Sequence, residues 1–347
     1  MQKQRVVKRK NLWQIVFLVL VFVLTAYSVL HGEDLAQIAA CMKQAEPGYW
    51  VAGVVLVILF ILSESVIIWY LMRIAGQKAQ FGHCCMYSFV GFFFSAVTPS
   101  ATGGQPAQLY FMKKDRLSVS VSTLVLMIVT ITYKAVLVVI GIAVLVLRPA
   151  AIMRYLQPVI GWCYLGIILN VVCVWFMLEL VFHPTLARQI LTWVIRCIGR
   201  VFHWKRKDEF LQRMERSMDR YCEVAVYYKE HKRVILNVFG ITMVQRVLLF
   251  FVTWLVYRSF GLREAGVAVI VTLQGMISVA VDMLPLPGGM GISENLFLRI
   301  FSPLCGSEYN LPVMLVSRGI SYYTQLLISG VMTVLAYLKL GRPAGTE

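Results

Sequence analysis

Residues 98–108 read TPSATGGQPAQ and residues 285–294 read PLPGGMGISE. Each stretch sits in or beside a strongly apolar run, and each places prolines and glycines where a spanning helix keeps Leu, Val or Ile. A backbone interrupted at membrane depth frees N–H and C=O groups that have no water to bond, at a cost of roughly several kcal/mol per group. Such breaks must be buried in protein or line a wet cavity. Transporters use paired breaks to build a substrate site near the midplane, with half-helix termini presenting partial charges. The two stretches therefore predict two interrupted hairpins inside a bundle of membrane helices.

The surrounding composition agrees. The chain has 347 residues, 59% hydrophobic and 14% charged, and its mean hydropathy is +0.74, which excludes an ordinary soluble domain. The net charge of +16 does not argue for nucleic acid, because Lys and Arg gather at the ends of apolar runs, as the positive-inside rule expects. No directly bound nucleic acid is expected. The 8 cysteines contain no CxxC pair, and only Cys41 and Cys305 are expected to face outward, so no disulfide framework is signalled. The 5 histidines are scattered without metal-ligand spacing. Neither a metal nor a cofactor is expected.

The basic N-terminus and the apolar run 12–30 read as an uncleaved first span, because no small-residue cleavage site follows. Further spans are expected at 49–72, 119–147, 159–182, 234–257 and 311–338. The first break divides an apolar arm, 81–97, from a short arm ending at Lys113, Lys114 and Arg116. Lys78 stands before the first arm, so basic residues flank both sides, as in a hairpin re-entering from the cytoplasm. The second break divides an arm, 265–284, from a short arm ending at 301, and parity makes this a hairpin of the opposite entry. The expected fold is all-α: a polytopic membrane helix bundle of about six full spans plus two re-entrant helical hairpins of opposite entry, as an inverted repeat would give. Residues 183–233 carry 12 Lys or Arg against 6 acids and are expected to form a cytosolic basic amphipathic helical loop. Its halves are an interfacial helix over 186–204 and a helix over 208–232 that buries Leu211, Met214, Met218, Cys222 and Ala225 on one face.

The TPSATGGQPAQ element with its short basic turn, and the later LPLPGGMGISE element, resemble the membrane region of the lysylphosphatidylglycerol synthase and flippase family. That family includes the bacterial multiple peptide resistance factor and its shorter stand-alone relatives, and the resemblance covers nearly the whole chain. In full-length members it implies a membrane flippase region followed by a soluble synthase domain that transfers an aminoacyl group from tRNA to phosphatidylglycerol. Here the chain stops at Glu347, and the loop 183–233 is too small for a typical catalytic domain. The expectation is a single integral membrane domain over 1–347 with no soluble synthase domain, which is the lipid-handling half alone.

Several residues are candidates for handling a lipid headgroup. Ser100, Thr102, Gly103, Gly104 and Gln105 offer hydroxyls, an amide and free backbone N–H groups to a phosphate, and the competing reading is a glycine break kept for close helix packing. Gly288, Gly289, Gly291, Ser293 and Glu294 form the second set, where Glu294 either caps the following helix or meets a cationic headgroup. Lys134, Arg246 and Arg318 are candidate phosphate ligands, since a cation in a span faces the bundle interior. The alternative is pairing with the buried carboxylates Glu64 and Asp282, or with Glu294, to avoid uncompensated charge. Tyr133, Tyr322 and Tyr323 read as packing or interface aromatics.

The leading expectation is a multi-pass protein of a bacterial-type plasma membrane, with both termini cytoplasmic, that moves a phospholipid between leaflets. The resemblance implies lysyl- or another aminoacyl-phosphatidylglycerol as cargo and a role in resistance to cationic antimicrobial peptides. No catalytic residue is assigned. A phosphatidylglycerol lysyltransferase or other lipid-linked transferase, needing a separately encoded synthase partner, stays open, as do a non-catalytic scaffold and a homo-oligomer.

Overall fold

The computed structural model describes Ala40, residues 43–183 and residues 207–340. The expected first span at 12–30, the helix expected over 186–204 and Cys41 lie outside the described residues. Within them the regular structure is helical throughout. The helices are α1 (Pro47–Ile74), α2 (Phe81–Val97), α3 (Gly104–Lys114), α4 (Val119–Leu147), α5 (Ala150–Leu156), α6 (Ile160–Phe182), α7 (Lys207–Glu230), α8 (Lys232–Ser259), α9 (Val267–Val281), α10 (Ile292–Arg318) and α11 (Gln325–Leu340).

Among the described residues five stretches are long and apolar enough to cross a membrane: α1, α4, α5 with α6, α8, and Pro287–Leu338. By contrast α2 and α9, at 17 and 15 residues, reach only about 25 and 22 Å, short of a hydrocarbon core of roughly 30 Å. The expected loop before the fourth span contains the short helix α5. The second hairpin differs in extent from the expectation: its returning arm runs past residue 301 to Gly306, because Leu304 and Cys305 are still buried and Gly306 is the residue with a positive φ, 68°. Cys305 is accordingly inside the packing instead of facing outward.

The chain reverses at Gly306. Along a straight helix Glu294 and Arg318 would stand about 36 Å apart, yet Arg318 Nε lies 2.8 Å from Glu294 Oε1. Asn310 Nδ2 likewise donates to the Leu298 carbonyl at 2.9 Å. Residues 292–305 are therefore the returning arm of the hairpin, and residues 307–340 form the last long helix, with a π-helical stretch at Gly319–Thr324.

The two hairpins open at opposite ends of the bundle. At one end the start of α2 meets the end of α3, where His83 Nδ1 lies 2.9 Å from Asp115 Oδ2 and the Ser118 N–H donates to Gln77 Oε1 at 3.3 Å. At the other end the Glu46 N–H donates to the Ser259 carbonyl at 2.9 Å, joining the start of α1 to the end of α8. There Leu262 and Glu264 share a cleft with residues 303–309. Each hairpin's long arm lies against the span that follows the other hairpin: α2 packs on α11, and α9 packs on α4. Helices α1 and α8, both of 28 residues, run side by side between them, tied by Gln245 Nε2 donating to the Phe60 carbonyl at 3.0 Å. This exchange of partners is the arrangement an inverted repeat produces.

Two large oily cores and a smaller one fill the bundle. Of the large ones, the first gathers Phe60, Ile61, Val252, Val256, Phe297 and Phe301 and the second Ile67, Leu71, Val125, Val238 and Tyr228, while the small one joins Leu137, Ile167, Phe250 and Val279. On α1 Glu64 falls between Ile61 and Ile67, and on α8 Gln245 and Arg246 fall between Val238 and Val252. The polar residues thus occupy the seam between the two large cores. Helix α7 docks on one end through Tyr221, Ala225 and Tyr228, spaced as one helical face. The Tyr228 hydroxyl donates to the Leu71 carbonyl at 2.7 Å and that of Tyr221 to the Leu180 carbonyl at 3.3 Å. Burial pushes the Tyr221 phenol up to about 12, so it stays a neutral donor. Of the face expected for this helix, Ala225 is buried and Cys222 half-buried, while the side chains of Leu211, Met214 and Met218 lie outside the described residues. Along α6 Leu165, Ile168, Val172, Trp175 and Phe176 are exposed, an apolar surface suited to lipid.

Candidate functional site

The first break begins where α2 ends. Thr98 Oγ1 donates to the Phe94 carbonyl at 2.6 Å and accepts from the Gly103 N–H at 2.8 Å, so one hydroxyl ties off both sides of the interruption. Between them Pro99–Ala101 form a single 3-10 turn in which Ser100 takes φ 50° and ψ 28°, and Ala101 also has a positive φ, 55°. Two consecutive left-handed residues, neither a glycine, store backbone strain of the order of 1–3 kcal/mol each. Gly104 lets the two arms close: a Cβ there would fall 2.1 Å from Ser95 Oγ and 2.8 Å from the Gly91 carbonyl oxygen. Thr102 is exposed and donates to the Pro99 carbonyl at 3.0 Å. Gln105 points to α4, where its Nε2 donates to the Thr130 hydroxyl and to the Leu126 carbonyl. Three residues further on, Gln108 Nε2 donates to Glu64 Oε1 at 2.9 Å.

The second break turns at Pro287–Gly289. Gly288 has φ 56°, and a Cβ on it would fall 2.1 Å from the Tyr322 ring; Gly289 beside it also has a positive φ, 66°. Glu294 accepts from the Gly291 N–H at 2.7 Å and from Ser293 Oγ at 3.1 Å, which is the reciprocal half of a capping box. Its other oxygen holds Arg318, and Arg318 Nη2 donates to the Gly288 carbonyl at 3.0 Å. Glu294 and Arg318 therefore clamp this turn to the last span.

The breaks meet. Ser100 Oγ lies 3.4 Å from the Leu284 carbonyl oxygen, and the Tyr322 hydroxyl donates to the Ala96 carbonyl at 3.0 Å. Beside that junction lies a charged cluster about 22 Å along α4, halfway through a helix of about 43 Å. Lys134 Nζ lies 2.6 Å from Asp282 Oδ2, with side chains only 12% and 10% exposed. The Tyr133 hydroxyl donates to the other oxygen of Asp282. Arg246 lies over the Tyr133 ring, 3.5 Å from its centroid, and over Phe60 at 5.0 Å. Its Nε is buried without a hydrogen-bond partner. Glu64 stands near enough to interact electrostatically with it.

The candidates thus fall into two groups. Glu64, Arg246, Lys134 and Asp282 come together at mid-depth, with Gln105 and Gln108 leading to them from the first break; Gly288, Glu294 and Arg318 form the clamp of the second. Sequence reasoning missed the tyrosines. Tyr133 and Tyr322, read as packing aromatics, each carry a hydroxyl that bonds the end of the opposing hairpin's long arm. The signal was available: each tyrosine stands one residue or one helical turn from a cation inside an apolar run. Among the described residues no cluster of His, Cys, Asp and Glu could hold a metal ion.

A family model described as the lysylphosphatidylglycerol synthase TM region matches residues 11–329. The chain belongs to that family. A comparison with curated proteins finds no match. Membership and the long apolar helices together make this lysylphosphatidylglycerol synthase TM-region protein a multi-pass membrane protein. Both breaks, the charged cluster, Arg318 and Tyr322 all lie inside the matched stretch.

Proposed function

We propose that the protein carries a phospholipid between membrane leaflets, with the headgroup held where the two breaks meet and the acyl chains left in lipid. The observation that carries this reading is the mid-depth cluster: two cations, one with a buried nitrogen that has no partner, lie beside two helix interruptions. A lipid phosphate is the anion such a place accepts, with Lys134 and Arg246 as its ligands and Ser100, Thr102, Gly103, Gly104 and Gln105 around it. Each cation inside hydrocarbon is costly unless it pairs or serves a substrate. The cargo that family membership suggests is an aminoacyl-phosphatidylglycerol, and outward delivery of a cationic lipid would weaken attraction of cationic peptides.

Both hairpins are re-entrant on this reading. The end where the first hairpin opens carries Lys78, Lys113, Lys114, Arg116, Lys229, Lys232 and Arg233, a basic bias that supports a cytoplasmic orientation for it in a bacterial-type plasma membrane.

The test is leaflet redistribution of a labelled phosphatidylglycerol in liposomes that hold the purified protein and no other enzyme. Faster redistribution than in protein-free liposomes is the expected result. Product formed from a charged tRNA, with no redistribution, would instead establish the transferase that the family description names.

A further inference from the structure

Resting on that lipid-site reading, we propose that the mid-depth site obeys a charge rule: it takes a headgroup that brings at least one amine with its phosphate as it stands, and an anionic headgroup only together with one proton, placed on Asp282.

The cluster's own charges balance. Lys134 and Arg246 are offset by Asp282 and Glu64 within a seam between two apolar cores. A phosphate that reaches Lys134 competes for its ammonium with the carboxylate already bound at 2.6 Å, setting two anions side by side in a medium of low dielectric. The groups facing Asp282 are Tyr133 and Lys134 from α4 and Arg246 from α8, the last across the Tyr133 ring. Cys173 of α6 stands near Lys134. No further cation among these can absorb the added charge. Glu64 is the other carboxylate, but its Oε1 is held by Gln108 and it is near enough to Arg246 to interact with it electrostatically, so the phosphate competes directly with Asp282. A proton from solvent converts Asp282 to its neutral acid, Lys134 remains an ammonium ion and changes partner from carboxylate to phosphate, and the net charge of the loaded site equals that of the four side chains alone. A headgroup with its own amine needs no proton. The amine then meets the ionised Asp282 that the phosphate has released from Lys134.

Linkage makes the rule measurable, because a site that gains a proton with its ligand loses about tenfold in affinity per pH unit wherever that acid is otherwise ionised. Calorimetry of the purified protein with dihexanoyl phosphatidylglycerol and with dihexanoyl phosphatidylethanolamine, in two buffers of different ionisation enthalpy, counts the protons. The expected result is about one proton taken up per phosphatidylglycerol and none per phosphatidylethanolamine. Asp282→Asn should abolish the uptake and the pH dependence. Should that variant fail to fold, Tyr133→Phe keeps the acid and removes a donor to its charged form, so uptake persists and its pH range moves upward. Binding of phosphatidylglycerol without proton uptake, or undiminished uptake by folded Asp282→Asn, overturns the charge rule and leaves the lipid site standing. Failure of both lipids to bind removes the lipid site together with the rule.

Discussion

Lys134 and Asp282 were legible in the sequence as buried charges, and Asp282 as one of three carboxylates that Lys134 could pair with, but which of the three it takes was not, since 148 residues separate them and nothing local records the contact. Their pairing makes the effect of single substitutions severe. Lys134→Met leaves a carboxylate in an apolar seam with only a tyrosine hydroxyl to satisfy it, and breaking a buried pair by removing one partner costs about 3–5 kcal/mol. Asp282→Asn leaves the ammonium stranded in the same way. Thermal unfolding in detergent should show each single variant strongly destabilised and the double variant destabilised by less than the sum. Lipid transport should fall in Lys134→Met while membrane insertion is kept. Unchanged transport would reduce Lys134 to a structural ion.

The breaks were more legible than the pairs, because proline and glycine inside an apolar run announce themselves without any partner. What the run could not disclose is which of its glycines serve a turn and which serve an approach. Gly288 does both, with φ 56° and the Tyr322 ring 2.1 Å from where a Cβ would be, whereas Gly76 has φ 71° and open space around it. Ala at position 76 should therefore cost only the left-handed backbone, about 1–2 kcal/mol. Ala at position 288 adds displacement of Tyr322, whose hydroxyl bonds the end of α2, and should cost more by another 1 kcal/mol or so. Chemical or thermal unfolding of the two variants makes the comparison, and equal losses would show that Tyr322 moves aside freely. The end of the second hairpin illustrates the opposite limit. Residues 302–306 read as a loop after an apolar arm, and only packing of Leu304 and Cys305 against the core extends the helix to Gly306.

The exchange of long arms between the two halves ties them together and limits where a cargo can go. Because α2 lies on α11 and α9 on α4, neither half encloses the junction alone, and a headgroup reaching it must pass between elements of both. The lengths support the same picture: arms of about 22–25 Å that start at opposite ends of a bundle can meet inside it without either crossing. Re-entry predicts a specific labelling pattern. Lys78, Arg116, Arg263 and Ser307 are all exposed, the first two flanking the first hairpin and the last two the second. Single cysteines at these positions, treated in intact cells with a membrane-impermeant maleimide, should react above the parent's background at 263 and 307 and stay protected at 78 and 116. Permeabilising the cells should expose the protected pair. A result in which 78 and 116 label from opposite faces would make the first hairpin a full crossing, and the junction with Leu284 would then have to form at a membrane surface, where a headgroup needs no shelter.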